Sequence, residues 1–311
     1  MEKTKSFKRF AWAVLLVNML VVLWGAFVRA TGSGAGCGSH WPLCNGEVIP
    51  RAPQIGTIIE FSHRLSSGLA LILVVILFAW AWKISPKKHP VRLGASLSFF
   101  FIITEALVGA ALVLFKWVAQ DASTGRVISI AVHLVNTFLL LASITLTAWW
   151  ASGGSAIQIK GNGKKSWVLI PALAGVLLIG VTGAITALGD TLFPSVSLAE
   201  GIRQDFLSTG HILIRLRIWH PITAVLVAFY VGFVSYWEWN SNQDFWVRRF
   251  SATLGGLFIL QLCAGLLNVF LLAPVWMQLI HLLLAESVWI TLILLTASVL
   301  AKKDGSKGEP L

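Results

Sequence analysis

The chain has 311 residues, of which 57% are hydrophobic and 12% are charged, with a formal net charge of +11. A soluble domain of this size carries more charge than that. The basic residues fall between long apolar runs, so the composition points to a polytopic helical membrane protein rather than a nucleic-acid-binding one.

The chain opens on MEKTKSFKRF and runs into AWAVLLVNMLVVLWGAFV. That run is long enough to span a bilayer, so it reads as a retained first span rather than a cleaved signal. No Ser/Arg-rich transit region is evident, which favours a prokaryotic source. Eight spans are predicted, near 11–29, 56–82, 92–116, 127–150, 167–188, 211–236, 247–273 and 275–300, giving an all-α fold. Lys/Arg bias sets the orientation. With the N-terminus inside, the inner segments carry Lys3, Lys5, Lys8, Arg9, Lys83, Lys87, Lys88, Arg92, Lys160, Lys164, Lys165, Arg248, Arg249, Lys302, Lys303 and Lys307, which is 16 of the 24 basic residues. Arg29, Arg51, Arg64, Lys116, Arg126, Arg203, Arg215 and Arg217 are left for the outer side. Both termini are then cytoplasmic, in a multi-pass plasma-membrane protein.

The first outer loop contains GCGSHWPLCNG. Cys37 and Cys44 lie on the oxidising side, where a disulfide is expected, either as a staple or as an exchanging pair. The loop leads into IIEFSHRLSSG, which places Glu60, His63 and Arg64 at the outer end of the second span. Charge is costly there and commonly marks function. Glu60 and His63 are three residues apart, on one helix face. A salt bridge from Glu60 to Arg64 or to another outer arginine is the structural alternative. Deeper in the spans, Glu105 and Glu286 either relay protons or pair with Gln261, Asn136 or Asn268. Cys263 reads as a small packing residue.

The chain resembles a duplication. GAFVRATGS (25–33) is answered by GAITALGD (183–190), VGA (108–110) by AGL (264–266), and His63 by His220. The offsets are 158, 156 and 157 residues, with 148 between His133 and His281. Two four-helix halves of like orientation are expected, 1–155 and 156–311, related by a pseudo-twofold axis along the membrane normal.

Of the seven histidines, His40 and His89 fall in loops and His211 begins a span. His63, His133, His220 and His281 fall about two turns from the outer ends of the second, fourth, sixth and eighth spans, and so at one depth. A single such histidine suits packing. Four in equivalent positions suit two haem irons, each held by an imidazole on either face: His63 with His133, and His220 with His281. Zinc asks for more ligands than two histidines per half. Arg29, Arg64, Arg215 and Arg217 are candidate partners for haem propionates, or snorkel to lipid headgroups. The halves differ beside the iron. Where the first has Glu60 and Arg64, the second has Arg217 and Pro221. Chemistry at one site explains that difference better than symmetric electron carriage does.

VRATGSGAGCGSHWPLCNG followed by IIEFSHRLSSG resembles the first span, cysteine loop and Glu-x-x-His-Arg motif of haem A synthases. TGAITALGDTLFPS and RIWHPITA resemble the fifth and sixth spans of the same family. The resemblance covers nearly the whole chain. It implies an eight-span fold in two halves and an oxidation in which a ring methyl of haem O becomes a formyl group by successive hydroxylations through a geminal diol. It also implies that His63 and His133 receive the substrate, that His220 and His281 hold haem B as electron carrier, that Glu60 is catalytic, and that Cys37 and Cys44 are the family's loop pair. A fixed carboxylate would stabilise developing positive charge or accept a proton. The second cysteine pair of some members is absent here. Haem O synthase, cytochrome oxidase assembly factors and an unidentified electron acceptor are candidate partners, together with membrane lipid. The alternative is a quinol-linked di-haem b-type electron carrier without chemistry on haem. A transporter is disfavoured because the spans read as continuous, and a haem prenyltransferase because Asp-rich motifs are lacking.

Overall fold

The computed structural model describes residues 2–207 and 210–301, and contains no β-strand among them. Lys302, Lys303 and Lys307, and the side chain of Lys3, lie outside the described residues. Ten α-helices follow one another: α1 (Glu2–Ala30), α2 (Ile55–Ile84), α3 (Pro90–Leu114), α4 (Thr124–Ala151), α5 (Gly163–Leu192), α6 (Leu198–Asp205), α7 (Ile212–Leu216), α8 (Trp219–Ser241), α9 (Phe245–Phe270) and α10 (Val275–Val299). Eight stretches are long and apolar enough to cross a membrane, with α7 and α8 together forming the sixth (Ile212–Ser241).

The helix starts follow from local chemistry. Asp244 caps α9 by accepting from Trp246 N at 2.8 Å and Val247 N at 3.0 Å. Ser123 caps α4 through Arg126 N at 3.3 Å, and Pro90 opens α3 behind His89. Each device satisfies amides, or replaces one, that have no partner within the helix.

Within the first four spans, α1 packs on α2 and α4, α2 on α3, and α3 on α4. Within the last four, α5 packs on α8 and α10, α8 on α9, and α9 on α10. The two sets touch along α4–α5, α4–α10, α1–α10 and α1–α5. At this seam Trp289 stacks on Phe138, with ring centroids 5.4 Å apart, and donates its indole N–H to the Phe138 carbonyl at 2.7 Å. Arg29, at the outer end of α1, ties the seam on the other side. It donates to Ala187 O (2.6 Å) and Thr191 Oγ1 (2.7 Å) of α5 and to Gln278 Oε1 (2.8 Å) of α10.

Three features depart from the sequence expectations. The sixth span is broken between Leu216 and Trp219. Pro221 has no N–H to give Arg217 O, and His220 N takes that carbonyl instead at 3.2 Å, in a tighter turn. The outer loop before it also carries a helix, α6, capped by Ser197 through Glu200 N at 3.2 Å. Cys263 is exposed on α9 rather than packed inside. A membrane protein has no need to hide an apolar side chain that lipid can cover.

Candidate functional site

Cys37 and Cys44 form a disulfide with Cα atoms 4.4 Å apart, and both are fully buried. The loop they close lies on the start of α2. Thr57 Oγ1 donates to Gly36 O at 2.8 Å. A Cβ on Gly36 would collide with the backbone of Gly56, so only glycine allows this approach.

The loop grips Glu60. The Cys37 amide donates to Glu60 Oε2 at 2.7 Å, and Arg64 contacts Oε1 through Nη2 at 2.5 Å and Nε at 3.1 Å. Arg64 Nη1 in turn donates to the carbonyls of His40 and Leu43, both at 2.6 Å. The Glu60 carboxylate is buried and has three donors. Arg64 is committed to Glu60 and to the loop, which leaves the salt bridge and the disulfide loop as one unit over the outer end of α2.

His63 lies one turn below, half-buried, with Nδ1 enclosed and unpartnered. Its ring rests on Gly25 of α1, where a Cβ would stand 3.0 Å from His63 Cε1. His133 is carried by α4, and its Nδ1 is likewise buried without a hydrogen-bond partner. An open apolar cleft of about 530 Å³ lies between α1, α2 and α10, lined by Leu20, Trp24, Ser62, Ser66 and Leu279 among others.

In the second half His220 and His281 face one another, with ring centroids 6.2 Å apart and planes at 89°. An imidazole on either side of one metal, at about 2 Å per bond with about 1 Å from nitrogen to ring centre, gives about 6 Å between centres. The spacing therefore fits a bis-histidine iron. His220 rests on Gly183 of α5 and His281 on Gly265 of α9, where added Cβ atoms would lie 2.9 and 3.1 Å from the Cε1 atoms. Thr182 Oγ1 is 3.3 Å from His220 Nδ1, and Gln261 Nε2 is 3.3 Å from His281 Nε2. His281 Nδ1 is buried without a partner. Among the described residues, no group of three or more His, Cys, Asp or Glu could hold a metal ion by itself.

Arg217 is not a bare cation. It pairs with Asp190 at 3.0 Å and with Asp205 at 2.9 Å. Burial raises the Asp205 carboxyl above its ordinary range, and Arg217 opposes that rise. Arg217 Nη2 is nevertheless buried with no partner, an open donor that suits an anionic group such as a propionate. Arg29 is occupied by the seam, and Arg215 is exposed.

The three glycines were the residues sequence reasoning passed over. Gly25 and Gly183 head the repeated GAF and GAI, and Gly265 sits in AGL, so the repeat already marked them. Thr182 and Asp190 lie within TGAITALGDTLFPS without standing out from it, Gln261 was marked only as a partner for Glu105 or Glu286, and Asp205 had no pattern to distinguish it.

The sequence model of the family described as cytochrome oxidase assembly protein matches residues 8–293. The chain belongs to this family. With eight apolar spans, this family member is a multi-pass helical membrane protein. A protein of Thermus thermophilus named Protoheme IX farnesyltransferase is 51% identical over 303 residues, covering 96% of this chain but 50% of that protein. The chain thus spans about half the length of that relative. The Heme A synthase of Lysinibacillus sphaericus is 28% identical over 296 residues, covering 91% of this chain and 92% of that protein. The Heme A synthase of Geobacillus kaustophilus is 40% identical over 142 residues, covering 46% and 42%.

Opening the loop tests whether it places Glu60. Cys44→Ser should loosen the Cys37 amide from Glu60 and the two loop carbonyls from Arg64. Haem composition is the expected readout. On the ligand assignment proposed below, haem held by His63 and His133 should change, while haem held by His220 and His281 should not. Equal loss from both would show that the loop serves overall folding instead.

Proposed function

We propose that this chain is a haem A synthase, converting a ring methyl of haem O into a formyl group. The observation that carries the reading is the spacing of His220 and His281, whose ring centres lie 6.2 Å apart. The Heme A synthase relatives support the same reading. The halves divide as 1–155, receiving haem O between His63 and His133, and 156–311, holding haem B between His220 and His281. Haem B bound there would supply one-electron transfer.

The chain's own residues divide the remaining work. Glu60 presents a fixed carboxylate one turn from His63, where it stabilises positive charge developing on the oxidised carbon or takes a proton from water. The Cys37 amide and Arg64 hold that carboxylate in place. Arg217 Nη2 offers a donor to a propionate of the second haem. The cleft beside Trp24 and Ser66 is apolar and is lined by Ser62, the residue before His63, which suits the farnesyl tail of the substrate. The proposed setting is a prokaryotic plasma membrane, and the charge bias supports an orientation with both termini cytoplasmic and these sites near the outer surface.

The Thermus relative is named for farnesyl transfer, and this chain matches half of that protein. The aspartates here are scattered singly, and among the described residues none forms a cluster able to hold a metal ion. Prenyl transfer by this chain is therefore not proposed. A haem O synthase is instead a natural supplier of its substrate, and cytochrome oxidase assembly the natural use of its product.

The deciding experiment is expression with a haem O-producing partner, followed by extraction and chromatography of the haems. Haem A is the expected product. Haem B alone, in two equivalents, would replace this reading with the di-haem electron carrier.

A further inference from the structure

Glu105 on α3 has no role in the reading above, yet it faces His133. Its Oε1 lies 3.2 Å from His133 Nδ1, off the line of the ring N–H. The carboxylate is held from below by two residues of the next turn of α4. Asn136 Nδ2 donates to Oε2 at 2.6 Å, and the Thr137 hydroxyl contacts Oε1. Asn136 is itself fixed by Thr104 Oγ1 at 2.6 Å and by donating to Phe101 O at 2.9 Å. The carboxylate therefore sits in a built cradle beside the imidazole, on the nitrogen that leaves Nε2 free.

The other half lacks every part of this device. The repeat offset of 156 puts Gln261 where the first half has Glu105, and the offset of 148 puts Leu284 and Ala285 where it has Asn136 and Thr137. Gln261 is neutral, its Oε1 is buried without a partner, and its Nε2 faces the other ring nitrogen of His281. Three substitutions thus separate the halves together: a carboxylate and its two donors against an amide and two apolar side chains.

We propose that Glu105 is a positioning residue that fixes His133 through Nδ1 and sets the iron at the first site to a lower reduction potential than the iron at the second. This rests on the reading that His63 with His133, and His220 with His281, each hold a haem. At 3.2 Å from His133 Nδ1, the carboxylate needs only a small turn of the ring to accept its N–H, and a carboxylate so placed on a ligating imidazole orients the ring, fixes its tautomer and makes the free nitrogen more basic. A more basic ligand and a nearby negative charge both favour the oxidised iron. The neutral amide of Gln261 gives no such bias. The two potentials are thereby ordered so that electrons leave the first site for the second.

The test is a redox titration of the purified full chain, reconstituted in vitro with haem B at both sites in the absence of haem O. Two waves are expected, and His133→Ala should remove the lower one. Glu105→Gln, which copies the second half, should move the lower wave upward by about tenfold in the electron-transfer equilibrium, or about 59 mV for one electron, and leave the upper wave in place. Thr137→Ala removes a donor that competes for the carboxylate, so it should move the lower wave down. Opposite signs from neighbouring changes would not arise from a merely structural role. Two bound haems whose lower wave stays put in both variants would overturn the role of Glu105 and leave the haem sites standing. A single wave unaffected by His133→Ala would instead remove the first haem site, and this inference with it.

Discussion

Glu60→Gln should abolish the formation of haem A while leaving the chain folded and its second haem in place. Glutamine has the shape of glutamate and keeps one oxygen, which can take the place of Oε1 before Arg64, at the expense of the Cys37 amide that now reaches Oε2 at 2.7 Å. What disappears is the negative charge one turn from His63. Removing one preorganised electrostatic group of this kind costs about 10²–10³ in turnover. Alanine is a poorer choice. It would strand the Arg64 guanidinium, now 12% exposed, without its buried partner, at a cost of ~3–5 kcal/mol. Haem extracted from cells that also produce haem O provides the measurement. Haem O should accumulate with the glutamine variant, and haem A at the wild-type level would remove Glu60 from the chemistry.

The second large effect is expected at His220. Alanine there removes one of the two rings whose centres lie 6.2 Å apart. The haem proposed to bind between His220 and His281 should be lost, and with it the absorption expected of a bis-histidine haem. Gly183→Ala provides a gentler version. Its new Cβ would stand 2.9 Å from His220 Cε1 and 3.3 Å from Nδ1, so the ring must shift away from its place opposite His281. Disturbing the support of a metal ligand typically weakens metal binding by about 10–100-fold. Graded loss in the order wild type, Gly183→Ala, His220→Ala is therefore anticipated in haem-to-protein ratio. An unaltered spectrum in His220→Ala would place that haem elsewhere.

Most of the fold was legible because a bilayer imposes a simple rule on sequence. A span needs about 20 apolar residues, and eight such runs stand out between basic segments. The break in the sixth span was also written there, since Pro221 replaces Arg64 of the first half, but proline in a first turn does not announce a kink. Helix α6 escaped because LAEGIRQD is short and polar and reads as loop. At the site, Glu60 and Arg64 were readable as partners because they are four residues apart on one helix. The Arg217 pairs were not, because Asp190 and Asp205 lie 27 and 12 residues away, across turns whose path no local pattern fixes. The glycines under the imidazoles were visible as a repeat, but their purpose is steric and emerges only when the neighbouring helix is in place. Cys263 shows the limit of soluble-protein habits, in which a cysteine inside an apolar helix is assumed to pack.

The seam between α4 and α10 bears on how the molecule can move. Trp289 is fully enclosed and keyed to the Phe138 carbonyl, and α10 is the most enclosed of the eight spans. The connector joining the halves is pinned too, with Gln158 N donating to Leu300 O at 2.8 Å. A duplicated transporter rocks one repeat against the other to expose its cargo alternately. Here the keyed tryptophan and the pinned connector oppose such rocking, and they hold the first four spans against the last four at a fixed spacing.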